Sequence, residues 1–368
     1  MQISAFKIER YFARYEFHVD YVLCASDCES MPIEDLLAFE PDAAERFHRL
    51  WLGYTESQGS PALRREICKI YRHIAPDQVL VHTGAEEAIF LFMHAMLTAE
   101  DHVIVHWPCY QSLMEVARSV GCEVSMWKAD EKNGWALDPD ALQQLIKSNT
   151  RVIVINTPHN PTGYLMPAST FKTVSNIAQA NNIILFSDEV YRESEYRIED
   201  RLPAACDLGS HTVSLGVMSK TYGLPGLRIG WVATQNEDIY NRMAVLKDYT
   251  TICNSAPSEF LAELALRHRK AVVDRTQNII SDNLKLLDAF LGRHSGRFSW
   301  QRPSAGAIGF PRLLDGDVEV FCDALVKDSG VLLLPGTVYD DSANHFRIGF
   351  GRKNLIEAIE RVENFLLS

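Results

Sequence analysis

The chain has 368 residues, with 47% hydrophobic and 23% charged side chains, the balance of a globular enzyme whose core needs no disulfide staples. Its formal net charge of −12 and sequence pI near 5.5 argue against non-specific nucleic-acid binding, which needs a basic face. The eight cysteines, at 24, 28, 68, 109, 122, 206, 253 and 322, lack zinc-ligand spacing and read as reduced thiols of a cytoplasmic protein without a metal site. The N-terminus mixes acids and aromatics, unlike a signal peptide. No stretch approaches the ~18 uncharged apolar residues of a membrane span.

The first 20 or so residues read as a lone amphipathic helix, expected to pack on a smaller domain. From residue 79, apolar runs alternate with helical patterns. Strands are expected at 79–82, 102–106, 123–127, 151–156, 183–190, 213–218 and 227–234, with helices at 84–97, 110–121, 138–148 and 171–182 between them. Such runs, bounded by turn residues, predict a mostly parallel sheet covered on both faces. Residues 255–291 form one long helical pattern with room for a bend. Strands at 298–301, 307–313, 331–335 and 345–351, with helices at 317–329 and 354–367, then predict a smaller α/β domain. The expected division is 1–45 for the N-terminal helix and a small-domain segment, 46–260 for the large domain and 261–368 for the small one.

Four local runs carry chemistry. Ser219-Lys220-Thr221-Tyr222-Gly223 follows a strand. A lysine is a nucleophile only when partly deprotonated, and Arg228 could supply a cation that favours this. Alone, Lys220 reads as a solvated loop lysine. Asn156-Thr157-Pro158-His159-Asn160-Pro161-Thr162-Gly163 puts polar groups at the carboxyl edge of the sheet, where ligands bind; a decorated turn is the bland alternative. Asp188, in Ser187-Asp188-Glu189-Val190-Tyr191, ends a buried strand and also suits a helix N-cap. Thr83-Gly84-Ala85-Glu86 opens a helix whose free N–H groups could cradle phosphate. There is no G-x-G-x-x-G or Walker fingerprint, which argues against a nicotinamide-dependent dehydrogenase.

Taken in this order and spacing, the runs NTPHNPTG, SDEVY and SKTYGLPGLRIGW resemble the class I/II aminotransferases, fold type I of the pyridoxal-5′-phosphate (PLP) enzymes, over about residues 50–352. The resemblance implies that the large domain binds PLP and that Lys220 holds it as a Schiff base. Asp188 would face the pyridine nitrogen, with Asn160 and Tyr191 on the ring 3-oxygen. Arg228, Ser219 and the backbone of Gly84, Ala85 and Glu86 would receive the phosphate. Tyr110 would stack on the ring, and Tyr54 would reach the phosphate of a neighbouring subunit in a homodimer with a shared active site. Asn254 and Ser255 match the family's partner-subunit loop more loosely. Arg347 would clamp the substrate α-carboxylate beside Asn160, and Arg352 is a surface candidate only.

Two positions depart from the family's pattern. Val217 stands where many relatives have a phosphate-binding serine. Ser26-Asp27-Cys28-Glu29-Ser30 replaces a glycine-containing turn over the substrate side chain, so Glu29 or Asp27 is expected in the pocket, favouring a cationic or hydroxylated substrate. The expected activity is amino transfer between an amino acid and a 2-oxo acid by a ping-pong mechanism. The alternatives are a PLP-dependent lyase or cyclising synthase and, more remotely, a PLP-binding regulator.

Overall fold

Seven short segments rich in Val, Ile and Leu pair into one sheet and set the architecture. In the computed structural model, which describes residues 2–367, these are β1 (Val79–His82), β2 (His102–Trp107), β3 (Glu123–Lys128), β4 (Thr150–Asn156), β5 (Ile184–Asp188), β6 (Thr212–Val217) and β7 (Gly230–Ala233). Their order is β1-β7-β6-β5-β4-β2-β3. β2 to β6 are parallel, and β7 runs antiparallel to both its neighbours, β1 and β6.

Alternation along each strand divides the core in two. Val103, Val105, Val152, Val154 and Phe186 pack on one face, against Ile89, Phe92 and Met93 of the helix Gly84–Met96 and Leu113 of Ser112–Val120. Ile104, Ile153, Ile155 and Leu185 turn to the other face and meet Phe171, Val174 and Ile177 of the helix Ala168–Ala180. A strand covered on both sides must be apolar at every position, which is why the sequence shows runs and not alternation. Each such side chain contributes about 1.5–3 kcal/mol by leaving water.

The C-terminal part builds a second core. Leu284, Leu287 and Phe290 of the helix Arg269–Arg293 pack with Phe298, Phe321, Phe346, Ile348 and Val362. Leu23 joins this core, and Tyr21–Val22 pairs in parallel with Val331–Leu332.

Three elements differ from expectation. The long helical pattern is two helices, Ala256–Arg267 and Arg269–Arg293, broken at His268. There the ring stacks on Phe39 at 5.2 Å and its Nε2 lies 3.0 Å from Glu40 Oε1, so tertiary contacts hold the bend. The expected strand 307–313 splits as well: Ile308–Gly309 pairs with Ile348–Gly349, whereas Arg312–Leu313 pairs with Phe298–Ser299. Pro311, which has no N–H to donate, sits where the partner changes. The N-terminal helix, Lys7–Tyr15, does not rest on the smaller unit alone. The Tyr11 hydroxyl donates to Leu333 O at 3.0 Å, while the Lys7 N–H donates to Gln111 Oε1 at 2.8 Å, so the helix bridges the two units.

Candidate active site

Parallel strands bring their carboxyl ends to one edge of the sheet. At the last positions of adjacent β4 and β5, Asn156 pairs with Asp188. Lys220 lies three residues beyond the end of β6 at Val217. Because β7 is antiparallel, its first residue, Gly230, falls on this same edge with Arg228 just before it. Both meet Gly84, at the start of the helix that follows β1. Gly84 has φ +82°, and a Cβ there would lie 2.7 Å from Arg228 Nη2. A Cβ on Gly230 would lie 2.6 Å from the Gly84 carbonyl carbon. Two glycines therefore let a guanidinium approach the free N–H groups of a helix start, a cup for an anion.

A cavity of about 410 Å³ opens along the edge. Ala85, Glu86, Val217, Ser219 and Arg228 line one part of it. Lys220 Nζ donates to Ser26 Oγ at 2.8 Å. Burial lowers the lysine pKa, and Arg347 lowers it further against the opposing pull of Asp27 and Asp188. Asp188 is 4% exposed, and burial pushes its pKa up to about 7, although the Val190 N–H (3.2 Å) and Lys220 pull the other way. A carboxyl so desolvated is best satisfied by a cation placed against it.

Asn160 and Arg347 form one buried network with a residue the sequence reading missed. The Asn160 N–H donates to Asn156 Oδ1 at 2.7 Å, and Asn156 Nδ2 donates to Asp188 O at 3.0 Å. Asn160 Oδ1 accepts from the Tyr339 hydroxyl (3.0 Å) and from Arg347 Nη1 (3.2 Å). Arg347 Nη1 also donates to the Tyr339 oxygen at 2.6 Å, and Nε donates to Cys24 O at 3.0 Å. Arg347 is 1% exposed, yet its Nη2 has no hydrogen-bond partner among the described residues. The buried Tyr191 hydroxyl likewise makes no hydrogen bond of good geometry, with Ser26 beside it. Tyr110 stands in the cavity wall, its ring tilted against Phe6 at 5.1 Å. His159 ties the Tyr110 and Asn160 loops together: Nε2 lies 2.7 Å from Pro108 O and Nδ1 2.7 Å from Thr162 Oγ1. Burial depresses its pKa to about 3, so the ring is a neutral brace.

Two expected site residues lie elsewhere. Tyr54 is 89% exposed and lines a separate hollow with Leu52, Asn254 and Ser255. Glu29 does not face the pocket. The Glu29 N–H donates to Gly351 O at 2.8 Å, and its Oε2 accepts from the Lys353 N–H at 3.0 Å, which turns the side chain to the surface. Asp27 lines the cavity instead, paired with Arg352 at 3.0 and 3.2 Å. The remaining wall is the helix Lys7–Tyr15 and the residue after it, through Ile8, Glu9, Phe12 and Glu16. Glu9, Phe12 and Glu16 at i, i+3 and i+7 share one stripe, a periodicity that marks a face but not what it faces.

The sequence profile of the family aminotransferase class I and II matches residues 21–362. The chain belongs to this family. A PLP-dependent aminotransferase from Streptococcus suis 89-1591 superposes with a TM-score of 0.94 at 32% identity, covering 100% of this chain and 98% of that one. Among curated relatives, capreomycidine synthase from Streptomyces vinaceus is 27% identical over 352 residues, 95% of this chain and 90% of the relative. Aspartate aminotransferase from Pyrococcus horikoshii is 28% identical, covering 86% and 83%.

This aminotransferase is a PLP-dependent enzyme that transfers nitrogenous groups. Its cavity fits the cofactor on three local observations: the anion cup that a Cβ at Gly84 would fill, the Tyr191 hydroxyl without a hydrogen bond of good geometry among the described residues, and the Asp188 carboxyl whose pKa burial pushes up to about 7.

Proposed function

We propose that Lys220 carries PLP covalently and moves the proton that makes amino transfer possible. One observation above all supports this reading: the lysine, the buried carboxyl of Asp188 and the unpartnered Nη2 of Arg347 converge on one cavity. PLP, when bound, supplies an electron sink for the pair left behind when a substrate loses its Cα proton. The chain's task is to set the geometry of that loss.

Arg228 and the N–H groups of Gly84, Ala85 and Glu86 hold the phosphate, with Ser219 adding a hydroxyl. Asp188 keeps a proton on the pyridine nitrogen, and Asn160 and Tyr191 hydrogen-bond the ring 3-oxygen. Tyr110 packs on the ring face. Arg347, fixed by Cys24, Tyr339 and Asn160, offers Nη2 to the substrate α-carboxylate and thereby orients Cα–H towards Lys220. The Lys220 amine, its pKa lowered by burial, would take the proton from the substrate Cα and hold it for return during the transfer. The substrates are an amino acid and a 2-oxo acid in alternation. Tyr54, exposed on its own chain, completes the phosphate site of a second copy, making the active unit a cytoplasmic homodimer.

A cyclising synthase is the second reading, favoured by the relative named capreomycidine synthase, which aligns with 95% of this chain. Mixing the holoenzyme with amino acids separates the two. Amino transfer yields pyridoxamine phosphate and a 2-oxo acid in stoichiometric amounts from a single half-reaction. A cyclised product with the cofactor's aldehyde form regenerated would favour the synthase.

A further inference from the structure

We infer that this enzyme selects amino acids whose side chain ends in a cation, received by Glu9 and Glu16. The inference rests on the site assignment above and concerns charges that assignment does not use. The cavity is lined by the cations Lys220, Arg228 and Arg347 and by the carboxylates Glu9, Glu16, Asp27, Glu86 and Asp188. Each cation has a task at the reacting centre, the phosphate or the α-carboxylate. Of the carboxylates, Asp188 faces the ring nitrogen. Glu86 accepts from Ser112 Oγ at 3.0 Å beside the phosphate cup, and Asp27 is neutralised by Arg352 at 3.0 Å. Glu9 and Glu16 are left over. Among the described residues neither has an ion-paired partner; of the two cations whose fields reach Glu16, Arg352 is already bound to Asp27 and Lys220 has its task at the reacting centre.

An independent feature of the same cavity shows how a ligand would lie. Arg347 is buried with Nη2 unsatisfied, and its guanidinium sits 5.9 Å from the ring centroid of Phe12. Phe12 separates Glu9 from Glu16 on the helix stripe, so the α-carboxylate anchor and the two free carboxylates lie against one helix. With the carboxylate on Arg347 and Cα at Lys220, the side chain runs along that stripe. A terminal guanidinium or ammonium there meets opposite charge. The second carboxylate of aspartate or glutamate would instead meet two like charges, with Arg352 engaged by Asp27. Burial raises the Glu16 pKa, and Asp27 and Glu9 add to the rise, while Arg352 and Lys220 oppose it.

The test is equilibrium binding of arginine, citrulline and glutamate to the holoenzyme, with Glu9→Gln, Glu16→Gln and the double variant alongside. Citrulline keeps the length of arginine and replaces its guanidinium with a neutral urea. The expected result is arginine bound roughly tenfold or more tighter than citrulline, as for a hydrogen bond to a charged group. That ratio should fall towards one in the double variant. Equal affinities in the wild type, or a ratio the double variant leaves unchanged, would overturn the inference. Pyridoxamine phosphate formed from glutamate as readily as from arginine would also overturn it while upholding amino transfer. Selective arginine binding without any pyridoxamine phosphate would uphold the selectivity and remove the aminotransferase reading.

Discussion

Asp188 shows how a single site residue is held at a cost that its ligand removes. Its carboxyl would ionise near 3.8 in the unfolded chain but only near 7 in the fold, because burial disfavours the anion. Between those values the unfolded state releases a proton that the native state keeps. Stability of the cofactor-free protein therefore falls as pH rises from about 4 to about 7 and stays low above that, by a few kcal/mol at about 1.4 kcal/mol per pKa unit. Asp188→Asn removes this penalty. The cofactor-free variant should melt higher than the wild type at pH 8, with the gap closing towards pH 4; a gap independent of pH would contradict the account. Asp188, like Asn160, Lys220 and Arg228, was legible because each stands in a short run fixed to a strand end. Tyr339 was not, since nothing near it in sequence marks a hydroxyl that reaches Asn160, 179 residues away, at 3.0 Å. Glu29 misled because it shares a turn with Ser26 and Asp27, and only the Gly351 and Lys353 backbone decides which of these carboxylates turns outward.

At the scale of elements, the helix Lys7–Tyr15 matters most to substrate. Nine residues without a side-chain N-cap do not hold a helix in water, so packing must fix it. Ile8 is its anchor, buried with Cys24, Leu332, Leu334 and Tyr339. Ile8→Ala should cost about 2–4 kcal/mol of local stability. It should raise KM for the amino acid and expose the first residues to protease, while the bound cofactor keeps its absorbance. An unchanged KM with the N-terminus cleaved would show that the helix does not shape the substrate site. The amphipathic pattern announced this helix but not its seat, because one stripe can face either unit or both. The strands of the central sheet were readable for the opposite reason: burial on two faces leaves apolar runs. The short strands after residue 298 change partners every two or three residues, as at Leu333 between Val331–Leu332 and Leu334–Pro335, and no run-length pattern records that.

The molecule as a whole carries an apolar surface near the site. Trp51, Leu52, Tyr54 and Tyr249 are 83%, 77%, 89% and 85% exposed, and the Thr55 hydroxyl donates to Asn254 O at 3.1 Å, joining the two segments. Exposure of this kind supports the partner surface that the proposed dimer requires. The solution mass should be twice 41.6 kDa, and Trp51→Glu should yield monomers that bind PLP weakly. A monomeric wild type with full cofactor affinity would contradict a shared active site. The central claim, that Lys220 carries the cofactor, is tested most directly by borohydride reduction of the holoenzyme followed by peptide mass mapping. The account predicts one modified peptide, the one that contains Lys220, with the reduced cofactor on that lysine. A label on any other lysine, or none on a protein that holds PLP, would contradict it.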